Sequence, residues 1–446
     1  MGDQTVDLLG RLVRLGCVND LTADSGGEER AADLLEEFFA GLPVSIERIT
    51  PHPGRTSLVV TVEGADPRSA GTPLTLLGHT DVVPVDTAKW TRDPFGAQIE
   101  DDVMWGRGTV DMLHLTAAMA VVTREVARRA QDGNPLARSL VFVAAADEEA
   151  RGGLGVPWIG DNKPNALPWD AALSEMGGAH VRGRRGGDSV VVVVGEKGAA
   201  QRRLHIRGDA GHGSVPLGRM SAVERLAQVS AALSAARWPT ATDEVWAGFV
   251  RAFEFDETIE TSLINGTYEG DYSEFEDLAA FAHAISHVTV AQTVAHSGGP
   301  INVLPSHATL ELDIRTLPGV NDDDVDAAIA AALGDLAEHV TIERLLSEAA
   351  TASSIDTDLY RVIEAALTQR YPGTRVVPVF FPGGSDLRVA RRLGGIGYGF
   401  GAVDSGASLG QVYSQLHAHD EHIALADVRA TAEVLHEVVT SYLTDV

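Results

Sequence analysis

The chain has 446 residues, of which 44% are hydrophobic and 22% are charged, and its formal net charge is −28. These proportions are ordinary for a globular protein, and the length allows two or three domains around sizeable cores. The acidic balance argues against nucleic acid or an anionic membrane as a partner, although an acidic surface also serves solubility alone.

Cysteine use and the N-terminal segment narrow the possible classes further. Cys17 is the single cysteine, which excludes an internal disulfide and a structural zinc site built on several thiolates. Any metal would therefore be held by His, Asp and Glu. The first residues, MGDQTVDLLG, show no signal peptide, and no apolar run approaches the ~20 residues that span a bilayer. We expect a cytoplasmic protein.

The first part of the chain alternates predicted helices with predicted strands. Helical periodicity predicts helices over residues 5–16, 28–41 and 115–126. Short apolar runs predict strands over residues 57–62, 74–77, 140–146, 171–173 and 190–194. This alternation is typical of an α/β domain with a largely parallel sheet, in which chemistry gathers at the carboxyl ends of the strands.

The pattern changes after Gly198. Polar and apolar residues alternate over 203–207 and 308–315, which predicts strands with one face in water, as in an antiparallel sheet covered on one side. Helices are predicted over 221–237 and over 322–336, the second capped by Asn321. Residues 243–283 are acidic and aromatic and match no element well.

From residue 356 the first pattern returns. It predicts a helix over 359–371, a strand over 376–381, a turn at 382–386 that opens another helix, and a closing helix over 424–443. The simplest interpretation is one α/β catalytic domain, residues 1–198 and 351–446, interrupted by an inserted α+β domain. The inserted domain would cover residues 199–350.

Acidic and histidine residues recur where predicted strands end. They are, in chain order, His79 and Asp81 in LLGHTDVVP, Asp111 in WGRGTVDM, Glu148 and Glu149 after LVFVAAAD, Glu175 in LSEMGG, and His417 in LHAHDEHI. A single carboxylate after a strand is usually a helix cap or a solvated loop residue. Acidic residues at this many strand ends, with a histidine at each end of the series, are much harder to attribute to chance.

This set of side chains suits a pair of divalent ions. Zinc accepts imidazole and carboxylate ligands, and two ions ~3.5–4 Å apart need one carboxylate that bridges them. Two histidines, one bridging aspartate and two terminal glutamates would give each ion three protein ligands. The spare carboxylate of the Glu148–Glu149 pair could then act as general base on the metal-bound water.

In this order and spacing, HTDVVP, GRGTVDM, DEEARGG, SEMGG and LHAHDE resemble the two-zinc metallopeptidase family of aminoacylase, acetylornithine deacetylase, succinyl-diaminopimelate desuccinylase and carboxypeptidase G. The resemblance covers nearly the whole chain and includes the inserted domain, which is the dimerisation or lid domain of the family. It implies two zinc ions, with cobalt or manganese as alternatives because the ligands suit several ions, and a homodimer.

The resemblance also assigns roles to these residues. His79 and Glu175 would bind one zinc, Glu149 and His417 the other, Asp111 would bridge them, Asp81 would orient His79, and Glu148 would be the general acid/base. His419 and His422 are rivals to His417, which we prefer because it stands four residues before Glu421, as in the family pattern. The Glu-x-Gly-Gly form at residues 175–178 is similar to aminoacylase and carboxypeptidase S-like members.

Three positions in the inserted domain match the family as well. His212, in GHGS, resembles the histidine that reaches the partner subunit's active site and stabilises the oxyanion; a plain glycine-flanked turn is the alternative. Asn302 and Arg315 match the NxxP…R pattern. Arg315 could pair with a substrate carboxylate, or it could form a surface ion pair with Asp313 or Glu311.

Two further features bear on the substrate. Gly383 and Gly384, followed by Ser385, resemble the glycine-rich substrate loop of the family, although a simple helix entry has the same sequence. The residues after the bridging Asp-Met are Leu113-His114-Leu115, where the family usually has Lys-Gly-Gly. This departure affects the substrate class more than metal binding.

The predicted activity is hydrolysis of an amide bond next to a free carboxylate. The enzyme would be a carboxypeptidase, a dipeptidase or an N-acyl-amino-acid amidohydrolase, acting on a small molecule or dipeptide. One alternative is a catalytically silent relative that binds peptides or metabolites, against which the complete ligand set argues. Another is an amidohydrolase of ureido (carbamoyl) amino acids, which the same ligands would serve.

Overall fold

The computed structural model describes residues 1–65, 72–150 and 152–444, which group into two compact units. The first unit comprises Met1–Gly195, Gly248–Glu260 and Ser353–Val446, and the second comprises Glu196–Ala247 and Thr261–Ala352. The division falls near residues 196 and 352, beside the sequence-based boundaries at 199 and 351. The segment 248–260, which the sequence division assigned to the insertion, groups with the first unit.

Hydrogen bonds explain why this segment belongs to the first unit. The carboxylate of Glu254 accepts hydrogen bonds from the backbone N–H groups of Arg185 at 3.0 Å and Gly187 at 3.2 Å. The Arg184 N–H donates to the carbonyl of Phe253 at 3.0 Å. The poorly predicted stretch 243–283 is mainly helical, with helices Glu244–Ala252, Glu257–Ile264 and Ala279–Ser286 and a 3₁₀ helix Ser273–Leu278.

The sheet of the first unit has a parallel centre. Starting from one edge of the sheet, neighbouring strands follow in the order Ser45–His52, Arg55–Val62, Leu140–Ala145, Leu74–His79, Ala171–Ser174, Ile396–Gly399 and Asp188–Glu196. The four middle strands are parallel to one another, and those on either side are antiparallel. Gly177–Arg182 and Arg375–Phe381 pair with Asp188–Glu196. The prediction of an α/β unit with a largely parallel sheet is therefore confirmed for the centre.

Helices cover this sheet. They are Gly2–Leu15, Glu29–Phe38, Leu113–Gln131, Val156–Asn162, Asp358–Arg370, Leu387–Arg392, Leu409–Tyr413 and Leu425–Leu443. The alanine-rich helix Leu113–Gln131 packs against the first and last of these and lies so close to the sheet that a Cβ on Gly78 would come within 2.7 Å of Thr116 Oγ1. Among the described residues, no helix is both long and apolar enough to cross a membrane.

The second unit is built on an antiparallel sheet. Its strands are ordered Thr289–Ser297, His307–Thr316, Arg202–Arg207 and Val340–Arg344, with Gly198–Ala199 beside the second. The even-numbered residues 308–314 are buried and the odd-numbered ones partly exposed, which confirms the predicted one-sided alternation. Helices Ala222–Ala235 and Asp322–Leu333 begin with capping boxes at Ser221 and Asn321.

Candidate metal centre

The carboxyl ends of three parallel strands supply most of the centre. Leu74–His79 ends at His79, Leu140–Ala145 is followed by residues 147–149, and Ala171–Ser174 is followed by Glu175. Because parallel strands end at the same edge of a sheet, their terminal side chains meet there. Asp111 lies just before the helix Leu113–Gln131, and His417 lies just before the short strand His422–Ala424.

One set of candidate metal ligands, called a ligand set from here on, consists of His79, Asp111 and Glu175. His79 Nε2 lies 3.2 Å from Asp111 Oδ1 and 3.8 Å from Glu175 Oε2, and all three residues are buried. Burial alone would lower the pKa of His79, but its hydrogen bonds to both carboxylates hold that pKa well above the usual value. Burial and the charge of Asp111 raise the pKa of Glu175 to about 8.

A second ligand set shares Asp111 and adds Glu149 and His417. His417 Nε2 lies 3.3 Å from Asp111 Oδ2 and 3.2 Å from Glu149 Oε2. Hydrogen bonds to these carboxylates raise the pKa of His417 to about 10. Burial and the charge of Asp111 raise the pKa of Glu149 to about 7. The structure therefore brings together all five residues that the sequence predicted as ligands.

Asp111 stands between the two sets with one oxygen facing each histidine. Burial would raise its pKa, but the hydrogen bonds from His417 and His79 keep it well below the usual value. Within each set the potential ligand atoms lie within 4.8 Å of one another. An aspartate that presents separate oxygens to two such sets has the arrangement required of a carboxylate that bridges two metal ions.

Asp81 fixes His79 by its backbone. The Nδ1–H of His79 donates to the carbonyl oxygen of Asp81 at 2.9 Å, whereas the nearer carboxylate oxygen is 3.6 Å away. When the ring becomes neutral, this bond keeps the remaining proton on Nδ1 and leaves the lone pair on Nε2, which faces Asp111. The fully buried Asp81 carboxylate accepts the backbone N–H groups of Glu148 and Glu149, both at 3.1 Å.

Glu148 lies beside the ligand sets and belongs to neither. Burial and the charge of Glu175 raise its pKa well above the usual value, and the charge of Asp386 acts in the same direction. Asp386 itself follows the Gly383-Gly384-Ser385 turn and is buried. The turn predicted as a substrate loop therefore lies on the same unit as the ligand sets, with Asp386 near enough to influence Glu148.

A buried ion pair that the sequence interpretation did not identify supports Asp111 and His417. The Glu421 carboxylate accepts the N–H groups of Val110 at 2.7 Å and Asp111 at 3.1 Å, and it pairs with Arg107 Nη1 at 2.7 Å. Arg107 Nη2 donates to the His417 carbonyl at 3.3 Å. The Glu421 carboxylate thus connects the segment of Asp111 with the segment of His417, a link that the sequence motif alone does not indicate.

The donor set fits a pair of divalent cations. Imidazole nitrogens and carboxylate oxygens are the ligands that zinc accepts, and each set contains one histidine and two carboxylates. Four carboxyl groups, those of Asp111, Glu148, Glu149 and Glu175, lie close together, and burial raises the pKa values of the three glutamates, so bound cations would stabilise their ionised forms. Glu149 Oε1 is buried without a hydrogen-bond partner among the described residues.

The sequence profile of peptidase family M20/M25/M40 matches residues 75–441. The chain belongs to this family. The matched range includes every residue of both ligand sets. The family assignment confirms the resemblance that the motifs indicated.

Named relatives align along much or all of the chain. A probable carboxypeptidase S-like protein of Dictyostelium discoideum is 27% identical over 344 residues, which cover 74% of this chain and 64% of that protein. The chain thus spans somewhat less than two thirds of this relative's length. Succinyl-diaminopimelate desuccinylase of Cereibacter sphaeroides is 26% identical over 451 residues, covering 98% of each protein.

The fold is also that of solved M20 structures. An M20 family metallo-carboxypeptidase from Sulfolobus solfataricus superimposes with a TM-score of 0.70 at 21% identity, and 99% of each chain is covered. At this level of identity the likeness concerns the fold, and it agrees with the two-unit α/β and α+β architecture described above.

The remaining predicted residues of this M20/M25/M40 member lie in the second unit. His212 and Asn302 are neighbours there, because Gly211–His212 pairs with Val303–Leu304 and the Gly213 N–H donates to the Asn302 carbonyl at 2.7 Å. Arg315 forms the ion pair with Asp313 that was its alternative role, with Nε 3.1 Å from Oδ1. Its Nη1 has no hydrogen-bond acceptor among the described residues.

Proposed function

We propose that this protein is a metal-dependent hydrolase that cleaves an amide bond next to a free carboxylate. The observation that carries the proposal is the position of Asp111, whose two oxygens face His79 and His417, with Glu148 beside them. Family membership supports it, and the relatives' names, a carboxypeptidase and a desuccinylase, describe cleavage of peptide and succinyl groups.

The cofactor we propose is a pair of zinc ions, for which cobalt or manganese could substitute. His79 and Glu175 would hold one ion and His417 and Glu149 the other, with Asp111 shared. When bound, the ions would polarise the scissile carbonyl and lower the pKa of water. The hydrogen bond from His79 Nδ1–H to the Asp81 carbonyl keeps the other ring nitrogen available as a ligand.

Glu148 is the proposed proton carrier. Its carboxylate accepts a proton from the attacking water and returns it to the nitrogen of the leaving amine. A raised pKa suits a group that must both take and release a proton near neutral pH. Because Asp81 holds the backbone amides of Glu148 and Glu149, the carboxylate that moves the proton and a neighbouring ligand share one anchor.

Two separate features are proposed for recognising the free carboxylate of the substrate, the turn at Gly383 and Gly384 in the first unit and Arg315 in the second. Backbone N–H groups of a glycine turn can donate to a carboxylate, and Gly384 lies next to Arg388. In the second unit, Asp313 orients the Arg315 guanidinium through Nε and Nη2. The remaining nitrogen, Nη1, could donate to a substrate carboxylate. His212 is the proposed oxyanion-stabilising group, and Asn302 the residue that supports its hairpin.

The experiment that tests the hydrolase is a substrate screen with a matched variant. Zinc-loaded protein is assayed against dipeptides, N-acetyl and N-succinyl amino acids and N-carbamoyl amino acids. Glu148→Gln should lower kcat by several orders of magnitude, about 10³-fold or more, while the bound zinc stays near two, because the proton carrier is lost and no ligand is. Wild-type turnover in this variant would remove Glu148 from the mechanism.

In that screen, hydrolysis of N-carbamoyl amino acids in preference to the other substrates would favour the ureido alternative. Absence of hydrolysis of every class by protein with two bound metal ions would favour the catalytically silent relative. Glu125→Gln serves as a control, because Glu125 lies in the helix Leu113–Gln131 and pairs with Arg128 at 2.7 Å on that helix. Its turnover should match that of the wild type.

Exposed apolar residues of the second unit support a homodimer. Leu217 and Ile301, on the segments flanking His212 and Asn302, are fully exposed. The strand Thr289–Ser297 is an edge strand among the described residues, and Val294 on it is exposed. An exposed apolar edge strand invites pairing with a second copy.

Sedimentation velocity checks the homodimer. The wild type should sediment as a dimer, and Val294→Lys should shift it towards monomer, because a charge on an edge strand opposes pairing. Leu393→Lys, at an exposed apolar position of the first unit, is the matched control and should remain a dimer. A monomeric wild type at micromolar concentration would contradict the proposal.

A further inference from the structure

A buried polar network lies behind the loop that carries Glu148 and Glu149. Three consecutive backbone N–H groups of this loop donate hydrogen bonds to buried carboxylates. That of Asp147 donates to Glu28 at 3.2 Å, and those of Glu148 and Glu149 donate to Asp81 at 3.1 Å each. Glu28 and Asp81 are fully buried. The position of the loop backbone therefore depends on where these two carboxylates are held.

We propose that Asn19 is a positioning residue for Glu148 and Glu149, and that it acts through Asp81 and Asp147. Asn19 is fully buried. Its Nδ2 group donates to Asp81 Oδ2 at 2.9 Å and to Asp147 Oδ1 at 3.0 Å, so both amide protons are used on carboxylates. This inference rests on the proposed function, because it concerns the proton carrier and a ligand of that site.

The acceptor side of Asn19 is as well defined as the donor side. Asn19 Oδ1 accepts from Arg55 Nη2 at 3.1 Å and from the Leu21 N–H at 3.0 Å. Arg55 is also fully buried and pairs with Glu28 at 2.6 Å. Arg55 can only donate and the ionised carboxylates of Asp81 and Asp147 can only accept. One orientation of the Asn19 carboxamide therefore satisfies all three groups.

The backbone holds Asn19 in register with Asp81. The Asn19 N–H donates to the Val82 carbonyl at 2.9 Å, and the Val82 N–H donates to the Cys17 carbonyl at 3.0 Å. These bonds form a parallel bridge between Val18 and Val82. The segment that carries Asn19 is thus attached to the residue that follows Asp81, which fixes the carboxamide against the carboxylate.

Asp147 is the second point at which Asn19 holds the loop. Its backbone has φ 65°, a left-handed conformation that non-glycine residues rarely adopt and that needs support from its surroundings. That support comes from both carboxylate oxygens, since Oδ1 accepts from Asn19 and Oδ2 accepts from the Leu154 N–H at 2.8 Å. Asn19 therefore joins Asp81 to the strained residue that precedes Glu148.

Asn19 acts on catalysis by placing other groups. Loss of its two donated bonds would let Asp81 and Asp147 move, and Glu148 with them. Displacement of a reacting group by about 1 Å can cost about 100-fold in rate. Substrate binding should change little, because Asn19 and its hydrogen-bond partners lie outside the Gly383–Gly384 turn and the second unit. A role confined to folding would show itself as lost stability with kcat preserved in the folded fraction.

The test uses Asn19→Asp, which keeps the shape and replaces the donor by an acceptor, and Asn19→Ser, which is smaller and keeps a hydroxyl. Ser25→Ala is the matched control, because Ser25 Oγ accepts from Arg55 Nη2 at 3.0 Å and so touches the acceptor side of the network. Hydrogen exchange of the metal-free proteins is followed by mass spectrometry over the peptide containing residues 147–149. This readout requires neither metal nor substrate.

Exchange of the amides of residues 147–149 should accelerate about tenfold or more in a folded Asn19 variant and should match the wild type in Ser25→Ala. In the zinc-loaded proteins, kcat should fall about 100-fold with KM and zinc content within about twofold of the wild type. Unchanged exchange in both Asn19 variants would overturn the proposal, as would a rise in KM equal to the fall in kcat. If the wild type hydrolyses nothing, the proposed function fails while the exchange experiment still decides the role of Asn19.

Discussion

The two ligand sets that share Asp111 differ in their access to solvent. The side chain of His79 is 1% exposed, whereas that of His417 is 56% exposed. The carboxylates of both sets are similarly enclosed, since Glu175 and Glu149 side chains are 7% and 6% exposed. The difference therefore lies in the histidines, and it makes the His417 side the open side of the centre.

The two histidines also depend on different supports. His79 ends a strand of the parallel sheet, and its carbonyl accepts a hydrogen bond from Thr116 Oγ1 at 2.8 Å. His417 lies in a loop with φ 60° and is held through its carbonyl by Arg107. A ligand built into a sheet is less mobile than one carried by a loop. We therefore expect the His79 set to retain its ion more strongly and the His417 set to admit water and substrate.

The largest effect should come from removing the residue that the two sets share. Asp111→Ala should lose both ions and lower turnover at least about 1,000-fold, because it removes the bridging carboxylate and with it the Lewis-acid contribution of several kcal/mol. His417→Ala should lose one ion and keep the ion held by His79 and Glu175. The measurement is metal content by mass spectrometry after identical dialysis, alongside turnover.

His419→Ala is the matched control for these variants, because His419 is two residues from His417 and belongs to neither ligand set. It should keep two ions. If His419→Ala lost an ion and His417→Ala kept both, the histidine ligand on the open side of the centre would be His419 and not His417. Retention of two ions by Asp111→Ala would show that the two sets bind independently of the shared carboxylate.

The sequence indicated the candidate ligands because each stands at a recognisable local signal. His79, Glu149 and Glu175 follow apolar strands, and the carboxyl ends of parallel strands have to meet at one edge of the sheet. The helices beginning after Ser221 and Asn321 were predicted from their caps, which are local as well. Strictly alternating residues over 308–315 similarly predicted a one-sided strand.

The supporting residues could not be predicted because their partners are distant along the chain. Asn19 contacts Asp147 across 128 positions, and Arg107 contacts Glu421 across 314. No local pattern marks such a pair. Asp81 is a further example. The sequence predicts that it orients His79, but the hydrogen bonds of its carboxylate to the amides of residues 148 and 149 depend on the fold.

The strands Ser45–His52 and Thr289–Ser297 were not predicted, because most of their residues are partly or fully exposed and lack an apolar alternation.

The comparison of the two ligand sets also predicts a smaller effect, which is the release of protons when metal binds. In the metal-free protein at pH 7, His417, with a pKa of about 10, and His79, with a pKa well above its usual value, are imidazolium ions with both ring nitrogens protonated. Metal binding requires neutral imidazoles and ionised carboxylates, so one proton must leave each histidine, together with the protons held by Glu175 and Glu149, whose pKa values are about 8 and 7. Apparent affinity should consequently fall as pH falls, by about tenfold per pH unit for each proton displaced. Calorimetric titration of zinc in two buffers of different ionisation enthalpy counts these protons. His417→Ala should release fewer protons than the wild type, because it lacks one imidazolium and the ion of that set, and an enthalpy independent of the buffer would show that the ligand groups of both sets are already deprotonated.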